Sequence, residues 1–254
     1  AVFAVLTADH IIRPQDEFAR CLDAGFKLVE QDHSRFVTFG ITPTYPATGY
    51  GYVELGDAVG DSAHSCTRFV EKPDEQTAEK YIATGNFAWN SGMFVFDAGT
   101  FLDALQRLQP DSARGLKLIG DAWGTDRQQE VLDEVYPTLS KVSVDYGMME
   151  PASADDIISI VTVPMNVQWL DVGSWPSYED TLDADEQGNR SDTKTTHLDS
   201  NNVLCVSDDA THTIATIGCE DLVIVHTSDA TLVFPVSEAE RVKELYDKVD
   251  PSLK

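Results

Sequence analysis

Five short stretches of this 254-residue chain place an acid, an amide or a glycine where structure alone does not call for one. Thr7-Ala8-Asp9-His10 puts a carboxylate after the apolar run of residues 1–6. Thr48-Gly49-Tyr50-Gly51-Tyr52 is a loop whose two glycines let backbone N–H groups come close to a ligand. Glu71-Lys72-Pro73 sets opposite charges side by side just past an apolar strand, and Trp89-Asn90-Ser91-Gly92-Met93 puts an amide and a glycine at a strand entrance. In Trp169-Leu170-Asp171-Val172-Gly173-Ser174-Trp175 an acid stands between apolar residues, ahead of a Gly-Ser break and a new helical pattern. An acid at a strand-to-helix crossing lies where α/β sheets keep their ligands. Each stretch also has a plain structural use. Asp9 and Asp171 suit helix caps, Gly49-Tyr50-Gly51 a turn, Glu71-Lys72 a solvated ion pair, and Asn90 a turn. No G-x-G-x-x-G pattern completes the glycine loop as a phosphate cradle. That several of these groups fall at strand ends argues for a shared ligand.

The elements that must position them follow from periodicity. Residues 1–6 read as a buried strand, with Asp9 at its carboxyl end. Phe18, Cys21, Leu22, Gly25 and Val29 fall on one face of a helix over residues 17–31. A second strand at 36–41 then implies a parallel, right-handed crossover. Residues 43–51 form a loop. The runs 52–55 and 67–70 bracket an acidic turn as a hairpin. Asp74 caps a helix that stops at Gly85-Asn86. A strand at 93–96, a helix at 100–109, a helical region at 111–140, a short helix at 143–150, a buried strand at 157–163 and a helix at 176–182 complete this part. From Asp183 the texture changes to a polar linker followed by short β-branched runs at regular intervals, closed by a helix over 238–249. The expected division is therefore 1–185 and 186–254.

Composition narrows the partners. Hydrophobic residues make up 42% of the chain, enough for a core, and no apolar run approaches a membrane span. Lys+Arg number 18 against Asp+Glu 43, a net charge of −25, which repels nucleic acid and anionic membrane alike. A solvated acidic surface, as in proteins of a salt-rich cytoplasm, is the expected source of most of this charge. The four cysteines are dispersed with no C-x-x-C pair, as in a cytosolic protein with free thiols, and the six histidines make no zinc pattern. No secretory leader opens the sequence, so the cytoplasm is the expected location.

Six motifs, in order, resemble one family: Thr7-Ala8-Asp9-His10, Gly49-Tyr50-Gly51-Tyr52, Phe69-Val70-Glu71-Lys72-Pro73, Trp89-Asn90-Ser91-Gly92-Met93-Phe94, Val144-Asp145-Tyr146-Gly147-Met148-Met149-Glu150 and the 169–175 stretch. They are similar to the mannose-1-phosphate guanylyltransferases of the sugar nucleotidyltransferase superfamily over residues 1–182. The tail resembles the small β-helical domain of the short bacterial forms. The resemblance implies a Rossmann-like (GT-A type) mixed α/β sheet flanked by helices, then a small β-helix-like domain with a terminal helix, and a homodimer formed through that domain.

It also implies site roles. Asp9 and Asp171 match the carboxylates that hold Mg²⁺ against nucleotide phosphates, Gly49 and Tyr50 the loop beside the sugar, Glu71 and Asn90 the contacts to sugar hydroxyls, and Lys72 a cation for the sugar phosphate. Asp145 and Glu150 match the motif without a defined role, and helix capping is open to them. The implied reaction is attack by the phosphate of mannose 1-phosphate on the α-phosphorus of GTP, expelling pyrophosphate, with no general base needed. The family's opening glycine-rich nucleotide loop has no match here, so the chain is expected to be a piece of a longer enzyme that is inactive alone. A catalytically silent sugar-phosphate-binding or regulatory paralogue is the alternative. A nucleotidyltransferase for another hexose 1-phosphate is a lesser one.

Overall fold

The apolar run that opens the chain becomes an edge strand, not a buried one. In the computed structural model, which describes residues 1–246 and 248–250, β1 (Val2–Val5) is half-buried and Val5 and Leu6 are exposed. The chain then bends at residues 6–9 into an unforeseen strand, β2 (His10–Arg13). Asp9 thus precedes a strand instead of ending one. Next come α1 (Gln15–Gln31), which buries Cys21, Gly25, Leu28 and Val29, and β3 (Arg35–Ile41). The hairpin of β4 (Tyr52–Val59) and β5 (Ala63–Val70) leads to α2 (Glu75–Thr84). Its boundaries follow from the sequence: the Asp74 carboxylate accepts the N–H of Thr77 at 2.7 Å, and Gly85 closes the helix at φ +74°.

β6 (Phe87–Asp97) is much longer than the four residues expected. It runs straight through Asn90-Ser91-Gly92. Gly92 takes φ +70°, and the pairing with β3 shifts register between Thr38 and Gly40, so the polar residues are absorbed as an irregularity inside the strand. Then follow α3 (Ala98–Leu108), α4 (Pro110–Ala122), α5 (Gln128–Val135), and a π-helical turn at Asp145–Met149 that continues into α6 (Glu150–Ala152). β7 (Ser159–Pro164) starts later than expected. The Asp155 carboxylate accepts the N–H groups of Ile157 and Ile158, which folds that segment into a turn and leaves Ile157 exposed.

β1, β6, β3, β7, β5 and β4 form one sheet in that order, with β4 also paired to β6. Only β3 and β7 are parallel neighbours; the other pairings are antiparallel. β1 and β3 do run in the same direction, but β6 lies between them, so the expected crossover does not join adjacent strands. The core of this unit is aromatic, with Phe36, Phe69, Phe94 and Phe96 all buried in one cluster.

β8 (Gln168–Asp171) pairs with β2, and α7 (Trp175–Glu179) follows it. By contact the chain divides into two units, Ala1–Ala8 with Ile12–Gln168, and Asp9–Ile11 with the chain from Trp169 onward. The composition change near residue 185 lies inside the second unit. There Trp175 and Leu182 pack against the cluster of Leu204, Val223, Val225 and Phe234.

The rest of the second unit is β9 (Arg190–Ser191), β10 (Lys194–Leu198), β11 (Asn201–Ser207), β12 (Thr213–Ile217), β13 (Glu220–His226), β14 (Thr231–Pro235) and α8 (Val242–Tyr246). β10 pairs in parallel with β12, and β11 with β13, the partner in each case lying 19 residues further on, as Lys194 with Thr213 and Asn201 with Glu220. This is a solenoid coil. Its corners repeat at the same interval: Asp199 and Gly218, then Asn202 and Asp221, all have positive φ. The closing helix expected over 238–249 is a 3-10 turn (Val236–Arg241) followed by α8, and Asp247 lies outside the described residues. Among the described residues no helix is long and apolar enough to cross a membrane.

Candidate active site

In the first unit the hairpin start, the end of β5, the middle of β6 and the π-helical turn bring Gly51, Glu71, Asn90 and Asp145 together. Glu71 is the centre. Its side chain is only 7% exposed, its Oε2 is buried with no hydrogen-bond partner, and Lys72 Nζ stands 3.6 Å from Oε1. Burial above all, then the charge of Asp145, pushes this carboxyl up to about 7 against the pull of Lys72, with Glu150 adding a smaller push. Gly51 leaves room for it, because a Cβ at that position would collide with Glu71 Oε2 as placed and press on Asn90 Cβ. The carbonyl of Gly51 accepts the backbone N–H of Asn90 at 2.8 Å.

Asn90 is held at both ends of its amide. Oδ1 accepts from the Thr38 hydroxyl at 2.9 Å and the Gly92 N–H at 3.2 Å, and Nδ2 donates to Asp145 Oδ1 at 2.8 Å. The orientation of the buried amide is therefore set. Asn90 is not a turn residue, and Asp145 has a partner far from any helix cap. Lys72 takes φ +47° immediately before Pro73, a conformation costly for a non-glycine residue, while its side chain stays half exposed. Gly49 opens on free space, and Tyr50 packs edge-on against Trp89, ring centroids 5.2 Å apart.

In the second unit the ladder of β2 with β8 gathers Asp9, His10, Trp169 and Asp171. His10 Nε2 lies 3.6 Å from Asp171 Oδ1 and 3.9 Å from Asp9 Oδ1, and Trp169 Nε1 donates to His10 Nδ1 at 3.1 Å. Asp171 does not cap α7. Ser174 does, accepting the N–H of Ser177 at 3.3 Å. Nor does Asp9 cap a helix, since β2 follows it and Pro14 precedes α1. Among the described residues no three His, Cys, Asp or Glu side chains form a metal cluster. Asp9 and Asp171 each place a carboxylate oxygen within 4 Å of His10 Nε2, and hard carboxylate donors suit Mg²⁺, which takes one or two of them and completes its shell with phosphate oxygens and water.

Sequence reasoning missed His10, Thr38 and the function of Asp145. The adjacency of His10 to Asp9 was the one available signal. Thr38 gave none, being one polar residue within an apolar strand.

The family model for nucleotidyl transferases matches residues 1–188. The chain belongs to the nucleotidyl transferase family. Residues 194–249 of this nucleotidyl transferase match a second model, the MannoseP isomerase/GMP-like beta-helix domain. The chain is 37% identical over 246 residues to xanthan biosynthesis protein XanB of Xanthomonas campestris pv. campestris, covering 96% of this chain and 50% of that protein. It is 38% identical over 246 residues to a mannose-1-phosphate guanylyltransferase of Klebsiella pneumoniae, covering 94% and 50%. The chain thus spans about half the length of these relatives. A crystal structure described as mannose-1-phosphate geranyltransferase, from Thermus thermophilus, superposes with a TM-score of 0.82 at 28% identity, over 97% of this chain and 69% of that one. The mixed sheet followed by a β-helical unit is the architecture that the family resemblance implies.

Proposed function

We propose that this nucleotidyl transferase chain serves transfer of GMP from GTP to mannose 1-phosphate, giving GDP-mannose and pyrophosphate. The observation that carries the reading is the buried Glu71 carboxylate with an unpartnered oxygen, beside an amide whose orientation is set by Thr38, Gly92 and Asp145. A buried polar atom left unpaired is costly, and a sugar hydroxyl donating to Glu71 Oε2 relieves that cost. Asn90 has a second amide hydrogen to offer a neighbouring hydroxyl oxygen. Lys72, half exposed and next to this acid, supplies a point charge for the sugar phosphate. Gly49 and Tyr50 border the sugar on the loop side.

Asp9 and Asp171 are the residues that would hold Mg²⁺. Bound there, the ion would neutralise charge on the nucleotide phosphates. The attacking phosphate is already an anion, so the residues of this chain bind and align and need not remove a proton. The cytoplasm, where GTP is available, is the location this reading implies. The name of the Klebsiella relative supports the sugar and base.

The test is an assay of the protein with GTP, mannose 1-phosphate and Mg²⁺, followed by pyrophosphate release and by GDP-mannose on anion exchange, with glucose 1-phosphate as the competing sugar. Faster turnover of mannose 1-phosphate supports the reading. Preference for another hexose phosphate would change the substrate. Because this chain is expected to be inactive alone, only sugar-phosphate binding with no turnover when the chain is joined to the family's glycine-rich nucleotide loop would favour the silent paralogue.

A further inference from the structure

His10 stands between the two carboxylates read above as the metal residues, and the inference rests on that reading. Its side chain is 9% exposed and packs edge-on against Trp169, ring centroids 5.2 Å apart and planes at 88°. The indole N–H can only donate. Since it points at His10 Nδ1 from 3.1 Å, Nδ1 presents its lone pair and the ring proton sits on Nε2. Nε2 lies 3.6 Å from Asp171 Oδ1 and 3.9 Å from Asp9 Oδ1. Both distances lie beyond a direct hydrogen bond and within reach of a charge–dipole interaction.

We infer that His10 is a positioning residue that holds Asp9 and Asp171 in convergence through its Nε2–H and does not itself ligate the metal. Two carboxylates brought together repel each other. An N–H dipole close to both offsets part of that repulsion without placing a full positive charge where a cation must enter. Ligation by Nε2 would require its proton to move to Nδ1, where it would meet the Trp169 N–H head on. The tautomer that serves the carboxylates is therefore the one that cannot bind metal. Trp169 selects it. Groups of the outer shell that hydrogen-bond to metal ligands typically change metal affinity 10- to 100-fold when removed, and these longer contacts put His10 at the low end of that range.

The experiment uses the protein labelled with ¹⁵N-histidine, and Mn²⁺ as the probe. Without metal, two-dimensional ¹⁵N NMR is expected to show His10 with its proton on Nε2. His10→Ala is expected to weaken Mn²⁺ binding, read by EPR titration, about tenfold or more. His10→Gln, whose side-chain amide can donate from near the place of Nε2, should recover most of it. Trp169→Phe keeps a ring against His10 but removes the donor, and should mix the tautomers and weaken Mn²⁺ several-fold; it serves if His10→Ala does not fold. Electron spin-echo spectroscopy of the Mn²⁺ form should show no directly bound ¹⁵N. A proton on Nδ1, a bound ¹⁵N, or unchanged affinity in folded His10→Ala would each overturn the inference. A wild-type protein with the Nε2–H tautomer that binds no Mn²⁺, while Asp9→Asn and Asp171→Asn also change nothing, would overturn the metal reading beneath it.

Discussion

Asn90 Nδ2 donates to Asp145 Oδ1 across 2.8 Å, joining the middle of a central strand to a π-helical turn 55 residues later. With Thr38 and Gly92 on the oxygen side, this bond leaves the buried amide one orientation. It also brings a second negative charge towards Glu71, the second-largest cause of that acid's raised pKa.

Asp145→Ala should therefore act on the sugar and not on the nucleotide. It leaves an Asn90 N–H unpaired in a buried place, at a cost of about 1–3 kcal/mol. kcat/KM for mannose 1-phosphate should fall roughly 5- to 150-fold, with KM for GTP unchanged. The same variant should lower the pKa of Glu71, which a pH profile of sugar-phosphate binding would report. A drop shared equally by both substrates would mean general damage to the fold.

Glu71 should make stability fall as pH rises. The folded chain holds its proton up to about 7, while the unfolded chain releases it near the ordinary 4.5. Between those values the folded state binds more protons, so the contribution is fully present below about 4.5 and lost as pH rises through 7. Glu71→Gln cannot ionise. Compared with it, the wild type should lose up to about 3 kcal/mol between pH 4.5 and 7 and then run parallel, as measured by urea unfolding at several pH values. Parallel curves throughout would show that the carboxyl is not perturbed.

Asp171 and Ser174 should separate function from structure within one short motif. Ser174→Ala removes the cap of α7 and should cost about 1 kcal/mol of stability with little change in the Mg²⁺ dependence of turnover. Asp171→Asn should abolish turnover and leave the thermal midpoint almost unmoved, and Asp9→Asn should behave in the same way. Near-normal turnover in both Asn variants would end the metal assignment.

The net charge of −25 should make the fold salt-dependent. Added KCl screens repulsion among the acids, so the thermal midpoint should climb as the salt is raised to molar levels. A flat or falling midpoint would show that the acidic surface is not an adaptation to salt.

Much of this was legible from residue types, and the rest was hidden for definite reasons. The capped helix from Asp74 to Gly85 and the hairpin before it follow from local chemistry, and the structure keeps both. β6 exceeds its apolar run because Asn90, Ser91 and Gly92, which look like a turn, continue the strand. Asn90 is in fact satisfied by β3 and Asp145, partners that local sequence does not show. β2 is too brief and too mixed in character to stand out, so His10 stayed in the shadow of Asp9. On local spacing alone Asp171 suits a cap as well as a ligand, and the family resemblance assigns it to the metal; the structure shows that Ser174 is the cap.

The 19-residue coil of the second unit sets a rule for how that part of the chain can change length. Its left-handed corners stack, Asp199 beneath Gly218 and Asn202 beneath Asp221, and the last pair is tied by a 2.6 Å side-chain bond. Inserting or deleting one whole coil keeps every corner above a corner and every apolar residue facing inward. A gain or loss of one residue within a strand would instead turn inward side chains to solvent, and a change of one or two would set bulky residues at corners made for Asn, Asp or Gly. Length variation among its relatives should come in whole rungs, or be confined to the loops that leave the coil.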